Sequence, residues 1–172
     1  MIIAVSGLTG SGKNTIGELL AKKLECPVIC PTFKDLAAKQ GISLMEFQKK
    51  AEQDHNIDKK FDDVLREQVT KTNRNCVVTT WLGPWILDAD IRIKITASLE
   101  IRAERVAKRD GMSLVDARKH VEERDEENHK RYMQVYGINI YDESKFDLVL
   151  DNSDKKPEQT VEKALATIKA KR

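Results

Sequence analysis

A three-layer α/β fold, with a parallel sheet between layers of helix, is what this sequence predicts, and three observations predict it. Short apolar runs alternate with longer segments of helical period along the whole chain. The first run, Met1 to Ser6, leads directly into a glycine-rich turn and then an amphipathic segment, the order of a parallel strand followed by its crossover helix. The length of 172 residues with 40% hydrophobic content suits one domain able to bury its own core.

Met1 to Ser6 is expected as the first strand, and the helix from about Lys13 to Leu24 turns Ile16, Leu19, Leu20 and Leu24 inward. Pro27 to Cys30 fits a second strand. Ser43 followed by Glu46 is a capping-box signature for a helix with Leu44, Phe47 and Ala51 inward. Another helix begins near Asp58, with Ile57, Phe61, Val64, Leu65 and Val69 in helical period, and Cys76 to Thr80 is the next strand. Ile91 to Thr96 carries Arg92 and Lys94 on alternate positions, which predicts a strand near a sheet edge and not one buried on both faces. Phe146 to Leu150 is the last strand. Pro157 sits where a first-turn proline belongs, ahead of a closing helix lined by Val161, Ala164, Leu165 and Ile168. Between Ser113 and Tyr136 the period is helical, yet Glu122 to Arg131 holds no apolar residue, so that stretch is expected to cover no core.

Composition excludes several classes. Thirty Lys plus Arg against 28 Asp plus Glu leaves +2, too little for a nucleic-acid polymer or a membrane surface to be the expected partner. The apolar start ends at Gly7 without a basic leader and is not expected to be a signal peptide. Cys26, Cys30 and Cys76 have no paired spacing and read as reduced core thiols of a cytoplasmic protein, while His55, His120 and His129 read as surface histidines.

The strongest motif is Gly7-Leu8-Thr9-Gly10-Ser11-Gly12-Lys13-Asn14-Thr15, set between a strand and an amphipathic helix. Phosphates need backbone N–H groups at close approach, and glycine lets the chain turn tightly with no side chain in the way. The following helix adds its positive end, and Lys13 adds a point charge for the β- and γ-phosphates of a nucleoside triphosphate. Asn14 stands where Ser or Thr usually offers a hydroxyl to magnesium, and Thr15 follows it as the candidate metal ligand.

Arginines form the second constellation. Arg102, Arg105 and Arg109 share one face of a helix, and Arg124 and Arg131 lie two turns apart on the polar helix. Guanidinium forks stabilise the charge spread over a phosphoryl group in transfer, and a hinged segment that carries them can close over it. Interleaved acids such as Glu104, Glu122, Glu123 and Glu127 also describe a solvated, salt-laced helix. The phosphate loop upstream tips the reading toward phosphoryl transfer.

Beyond the loop, GISLMEFQKKAE from Gly41, NID from Asn56, IRAERVAKRDG from Ile101, EERDEENHKRYMQVYGIN from Glu122 and FDLVLDNS from Phe146 resemble the cytidylate kinases, especially their short archaeal form. The loop's pattern GxxGxGKxT is likewise similar to that of the P-loop nucleoside monophosphate kinases. The resemblance implies the P-loop NTPase fold in a single domain over residues 1–172, with a short helical insert at about 32–72 that covers the acceptor and an arginine-bearing lid at about 110–137. It implies ATP with Mg2+ as donor, CMP or dCMP as acceptor, and a monomer that handles small nucleotides. Lys13, Arg124 and Arg131 would be catalytic; Arg109 would join the loop in binding ATP; Lys34, Asp58, Trp81 and Arg105 would hold the acceptor.

Two departures stand out. The third strand ends in Thr79-Thr80-Trp81 where the family pattern has Glu-Gly-Arg, and Lys34 replaces an arginine, a point charge in place of a bidentate fork. Trp81 and Trp85 read as core aromatics, or Trp81 as a platform for an acceptor base. The altered strand leaves open a different nucleotide or an alcohol as acceptor, and a nucleotide-binding regulator without turnover.

Overall fold

The computed structural model describes residues 1–43, 46–47, 50, 54 and 56–171, with only the backbone of 33 and 34. Five strands form one wholly parallel sheet: β1 (Ile2–Ser6), β2 (Val28–Ile29), β3 (Cys76–Thr79), β4 (Ile91–Thr96) and β5 (Leu148–Asp151), in the order β2-β3-β1-β4-β5. After β1 the chain crosses to one side for β2 and β3, then passes β1 to place β4 and β5 on the other. The crevice beyond the C-terminal end of β1 is therefore the topological switch point, where ligands of open α/β sheets bind.

Alternation along β1 builds both cores. Ile3 and Val5 face α1 (Lys13–Lys23) and a helix at the C-terminal end of the chain, Pro157–Ala170, through Ile16, Leu20, Val161, Ala164 and Ile168. Ile2 and Ala4 point the other way, toward Leu65 and Val69 of the helix Asn56–Lys71. Every residue of β1 is buried, as a central parallel strand requires. The helices whose bounds lie among the described residues are, in chain order, α1, α2 (Phe33–Lys39), α3 (Asn56–Lys71), α4 (Gly83–Ile86), α5 (Leu99–Asp110), α6 (Leu114–Tyr136) and α7 (Pro157–Ala170). Glycine at position 17 lets α1 lie against β3, since a Cβ there would stand 2.0 Å from Thr79 Cγ2.

Two helices were not expected. Thr32 caps α2 in a reciprocal box with Asp35, a spacing legible in the sequence, and the short α4 starts at Gly83-Pro84 after β3. Ser43 Oγ accepts from Glu46 N–H as its capping signature predicts, and Phe47 is buried; Leu44 and Ala51 lie outside the described residues, as does His55.

Three expectations need correction. β4 is second from the edge but is paired on both sides, and Lys94 is buried; its ammonium reaches Tyr141 O at 3.4 Å and Glu143 at 3.2 Å, partners that come from the loop before β5. The polar stretch of α6 is not merely solvated, because Asp125 in it is 4% exposed. His129 stacks near Tyr141, with ring centroids 4.8 Å apart, and is half-buried. All three cysteines are free and at least partly buried. Among the described residues no helix is long and apolar enough to cross a membrane.

Candidate active site at the switch point

The glycine-rich loop leaves β1 at the switch point. Gly10 and Gly12 have φ of 75° and 89°, the left-handed region that side chains resist, and a Cβ on Gly7 would lie 2.4 Å from Ile95 O. The N–H groups of Lys13, Asn14 and Thr15 lie in the first turn of α1, ahead of the first helical bond, from Ile16 N–H to Gly12 O at 3.0 Å. First-turn donors of this kind have no partner within their own helix and point along the axis toward an anion.

Lys13 is the centre of the charge pattern. Burial lowers its pKa from 10.5 to about 8 and the charge of Arg124 adds to this, against opposing contributions from Cys30 and Asp125, with Arg109 the weakest of these influences, in the lowering direction. Its ammonium sits 5.1 Å from the centroid of the Trp81 ring. Trp81 in turn meets Tyr132 of α6, with centroids 6.3 Å apart, while Trp85 packs edge-on against Phe146 at 5.2 Å. Both tryptophans are only partly buried; Trp85 packs against Phe146, and Trp81, beside Lys13, borders the cleft. Ser6 Oγ donates to Trp81 O at 2.7 Å and so ties the ends of β1 and β3 together.

On α6, Arg131 holds Asp58 of α3 through Nε at 3.1 and 3.2 Å and Nη2 at 2.8 Å. One turn further along each helix, Tyr136 donates its hydroxyl to Asp62, whose carboxyl is pushed up to about 6, chiefly by burial. Arg124 is exposed, close enough to Lys13 to depress its pKa. Arg109 is also exposed and donates to its neighbour Asp110 at 2.6 and 2.7 Å.

Two of the expected acceptor contacts are differently engaged. Arg105 gives its guanidinium to Ser11 O at 3.1 Å and to Asn152 Oδ1 and O at 3.0 and 2.8 Å, so it braces the glycine-rich loop against the end of β5. Asp58 is taken up by Arg131, which makes its carboxylate an orienter of that arginine. The Lys34 side chain lies outside the described residues. Within the loop itself, the Ser11 N–H turns back to Leu8 O at 3.1 Å, and the Thr9 N–H goes to Asp125 at 3.0 Å. Neither is left for a phosphate. Tyr132, Asn152 and Asp125 border the site without having been singled out for it, and Arg102, expected with the phosphate-facing arginines, is instead buried against Asp125; FDLVLDNS contains Asn152, and the unbroken polarity of α6 was the trace left by Asp125.

Residues 2–154 match the model of the cytidylate kinase-like family. The chain belongs to that family. It is 40% identical over 164 residues to the cytidylate kinase of Sulfurisphaera tokodaii, an alignment that covers 92% of this chain and 90% of the relative. Against the cytidylate kinase of Pyrobaculum aerophilum the identity is 46% over 157 residues, 89% of this chain and 84% of that one. Among solved structures, an uncharacterized protein from Eubacterium ventriosum superposes with TM-score 0.76 at 18% identity over 99% of both chains. Shikimate kinase from Aquifex aeolicus gives 0.61 at 22% identity, over 99% of this chain and 97% of its own. At such identities these neighbours bear on the fold alone.

Proposed function

We propose that this protein transfers the γ-phosphoryl group of MgATP to CMP or dCMP. One observation carries the reading: Lys13, in the first turn of α1 beside the glycine-rich loop, has its pKa lowered to about 8 by burial first and then by the charge of Arg124, a site whose natural complement is a polyanion. Membership of the cytidylate kinase-like family supports the acceptor.

In this reading the triphosphate lies along the first-turn N–H groups of α1, with Lys13 on the β- and γ-phosphates. The acceptor phosphate enters between β3 and the arginine face of α6 and attacks the γ-phosphorus in line, displacing ADP. The attacking oxygen is already anionic, so positioning and charge neutralisation carry the reaction, and Arg124 and Arg131 supply the neutralising charge. Asp58 aims the Arg131 fork. Trp81 replaces the family's arginine with an apolar face beside the acceptor, while residues 32–72 and 110–137 act as insert and lid.

Magnesium would ride chiefly on the phosphates, where it neutralises developing charge. The residues fit that arrangement: Thr15 offers a hydroxyl in the first turn, and among the described residues no group of three acidic, His or Cys side chains forms a cage of its own.

The test mixes purified protein with MgATP and each ribo- and deoxyribonucleoside monophosphate in turn, and follows ADP and diphosphate formation against Lys13→Ala. Turnover with CMP and dCMP, lost by about a hundredfold or more in the variant, is expected. Turnover confined to another acceptor, or tight ATP binding without transfer, refutes the proposal.

A further inference from the structure

Thr9 and Asp125 are 116 residues apart, yet the Thr9 N–H donates to Asp125 Oδ1 at 3.0 Å. Asp125 Oδ2 accepts from Arg102 Nη1 at 2.5 Å, and that nitrogen also donates to Thr9 O at 3.0 Å. The ring is closed: one residue of the glycine-rich loop has its donor and its acceptor both held, by the two members of a single ion pair. Asp125 and Arg102 are 4% and 8% exposed. Removing both charges from water is costly, and a buried pair is seldom more stabilising than apolar residues of the same volume, so stability alone is a poor reason for this pair.

Its position supplies a better one. A Cβ on Gly10 would come within 2.6 Å of Arg102 O, so the loop lies directly on the backbone of α5 beside the pair. The peptide of Thr9 is held on both sides just before the chain turns at Gly10, while the Ser11 carbonyl that follows is held by Arg105 at 3.1 Å. Asp125 also follows Arg124, and successive helical residues point about 100° apart. One turn of α6 therefore sends Asp125 into the buried junction and Arg124 toward Lys13.

We infer that Asp125 is a positioning residue for the donor nucleotide: with Arg102 it fixes the Thr9 peptide, hence the loop that receives the triphosphate, and it sets the turn of α6 that carries Arg124. The inference rests on the reading of that loop as the ATP site. It also makes the middle of α6 a fixed point, so that any closure of the helix over substrates pivots there.

The experiment measures MgATP affinity by calorimetry, with a non-hydrolysable analogue, in the full-length wild type, in Asp125→Asn and in the double variant Asp125→Leu/Arg102→Met. The double variant exchanges the pair for apolar volume and leaves the Thr9 N–H without its carboxylate. Steady-state KM for ATP and for CMP and the melting temperature accompany each. Both variants are expected to bind the ATP analogue about tenfold more weakly or worse, with KM for CMP within about twofold of wild type, and the double variant is expected to melt close to wild type. A double variant with wild-type ATP affinity overturns the inference, as does an equal rise in both KM values. A wild type that binds no ATP analogue refutes the donor-site reading itself, whereas wild-type binding left unchanged in the variants refutes the inference alone.

Discussion

Lys13→Met should make the protein more stable while it destroys nucleotide binding. The lysine is held among Arg124, Arg109 and the Trp81 ring, and its pKa falls from 10.5 to about 8. At about 1.4 kcal/mol per tenfold change, this displacement corresponds to roughly 3 kcal/mol of folding free energy lost while the ammonium is charged. The folded protein binds this proton less tightly than the unfolded chain does. The penalty is therefore full below about pH 8 and fades as pH rises toward 10.5. Methionine keeps most of the volume without the charge and forfeits a cation–π contact of about 0.5–1 kcal/mol, which leaves a net gain of about 2 kcal/mol. For a chain of this size the melting temperature should rise by about 4–8 °C at neutral pH. Thermal unfolding at about pH 7 and about pH 10, with and without MgATP, is the assay; near pH 10 the advantage should shrink below about 1 kcal/mol. MgATP should raise the melting temperature of the wild type only. A variant that melts at or below wild type near neutral pH, or whose advantage is the same at the higher pH, refutes the claim that Lys13 is held charged against the preference of its surroundings.

Gly17→Ala should destabilise the protein by about 1–3 kcal/mol in denaturant titrations, because the new Cβ meets Thr79 Cγ2 at 2.0 Å, and Gly17→Ala/Thr79→Ser should recover most of the loss. Asp62, raised from 3.8 to about 6 chiefly by burial, gives stability that is complete below 3.8 and lost as pH rises through about 6, so Asp62→Asn should stabilise by roughly 3 kcal/mol above pH 7 and by less than about 1 kcal/mol near pH 4 in melts across that range. Asp58→Asn should lower kcat about tenfold without raising KM for CMP, since it releases the aim of Arg131; steady-state kinetics that show a matching rise in that KM would make Asp58 a direct acceptor contact.

The sheet was legible because its signals are local. Each strand is a short apolar run bounded by breakers, and the glycine-rich loop names its own place between β1 and α1. Strand β4 was misplaced in burial for a reason that period alone does not reveal: Lys94 can enter a core when a distant segment brings it Glu143, Tyr141 O and the face of Phe146. The same limit applies at the site. That Arg102, Arg105 and Arg109 share a helical face is a one-dimensional fact; which partners Arg102 and Arg105 find depends on residues 23 to 95 positions away. Arg102 meets Asp125, Arg105 meets Asn152 and the loop, and only Arg109 stays with an adjacent residue. Polar residues whose partner is remote look identical in sequence to polar residues that face water.

Helix α6 packs Ala117 and Val121 against Val106 of α5, and only its later, polar stretch shows what the absence of an apolar stripe achieves. From Glu122 to Arg131 it has no hydrophobic contact to offer, yet it is anchored in this region by Asp125 on Arg102 and by Arg131 on Asp58, and just beyond by Tyr132 beside Trp81 and Tyr136 on Asp62. An apolar interface would hold the helix in any state of the site, because hydrophobic contact does not discriminate among partners. A carboxylate that holds a guanidinium fixes the direction of its fork, so Asp58 keeps the Arg131 charge aimed at the cleft where an anion arrives. The two arginines differ in depth while their carboxylates do not: the Arg131 side chain is 19% exposed at the cleft and that of Arg102 10% behind the loop, with Asp58 and Asp125 at 5% and 6%. One pair aims an arginine at the cleft and the other holds the glycine-rich loop in place, a division of labour that suits phosphoryl transfer.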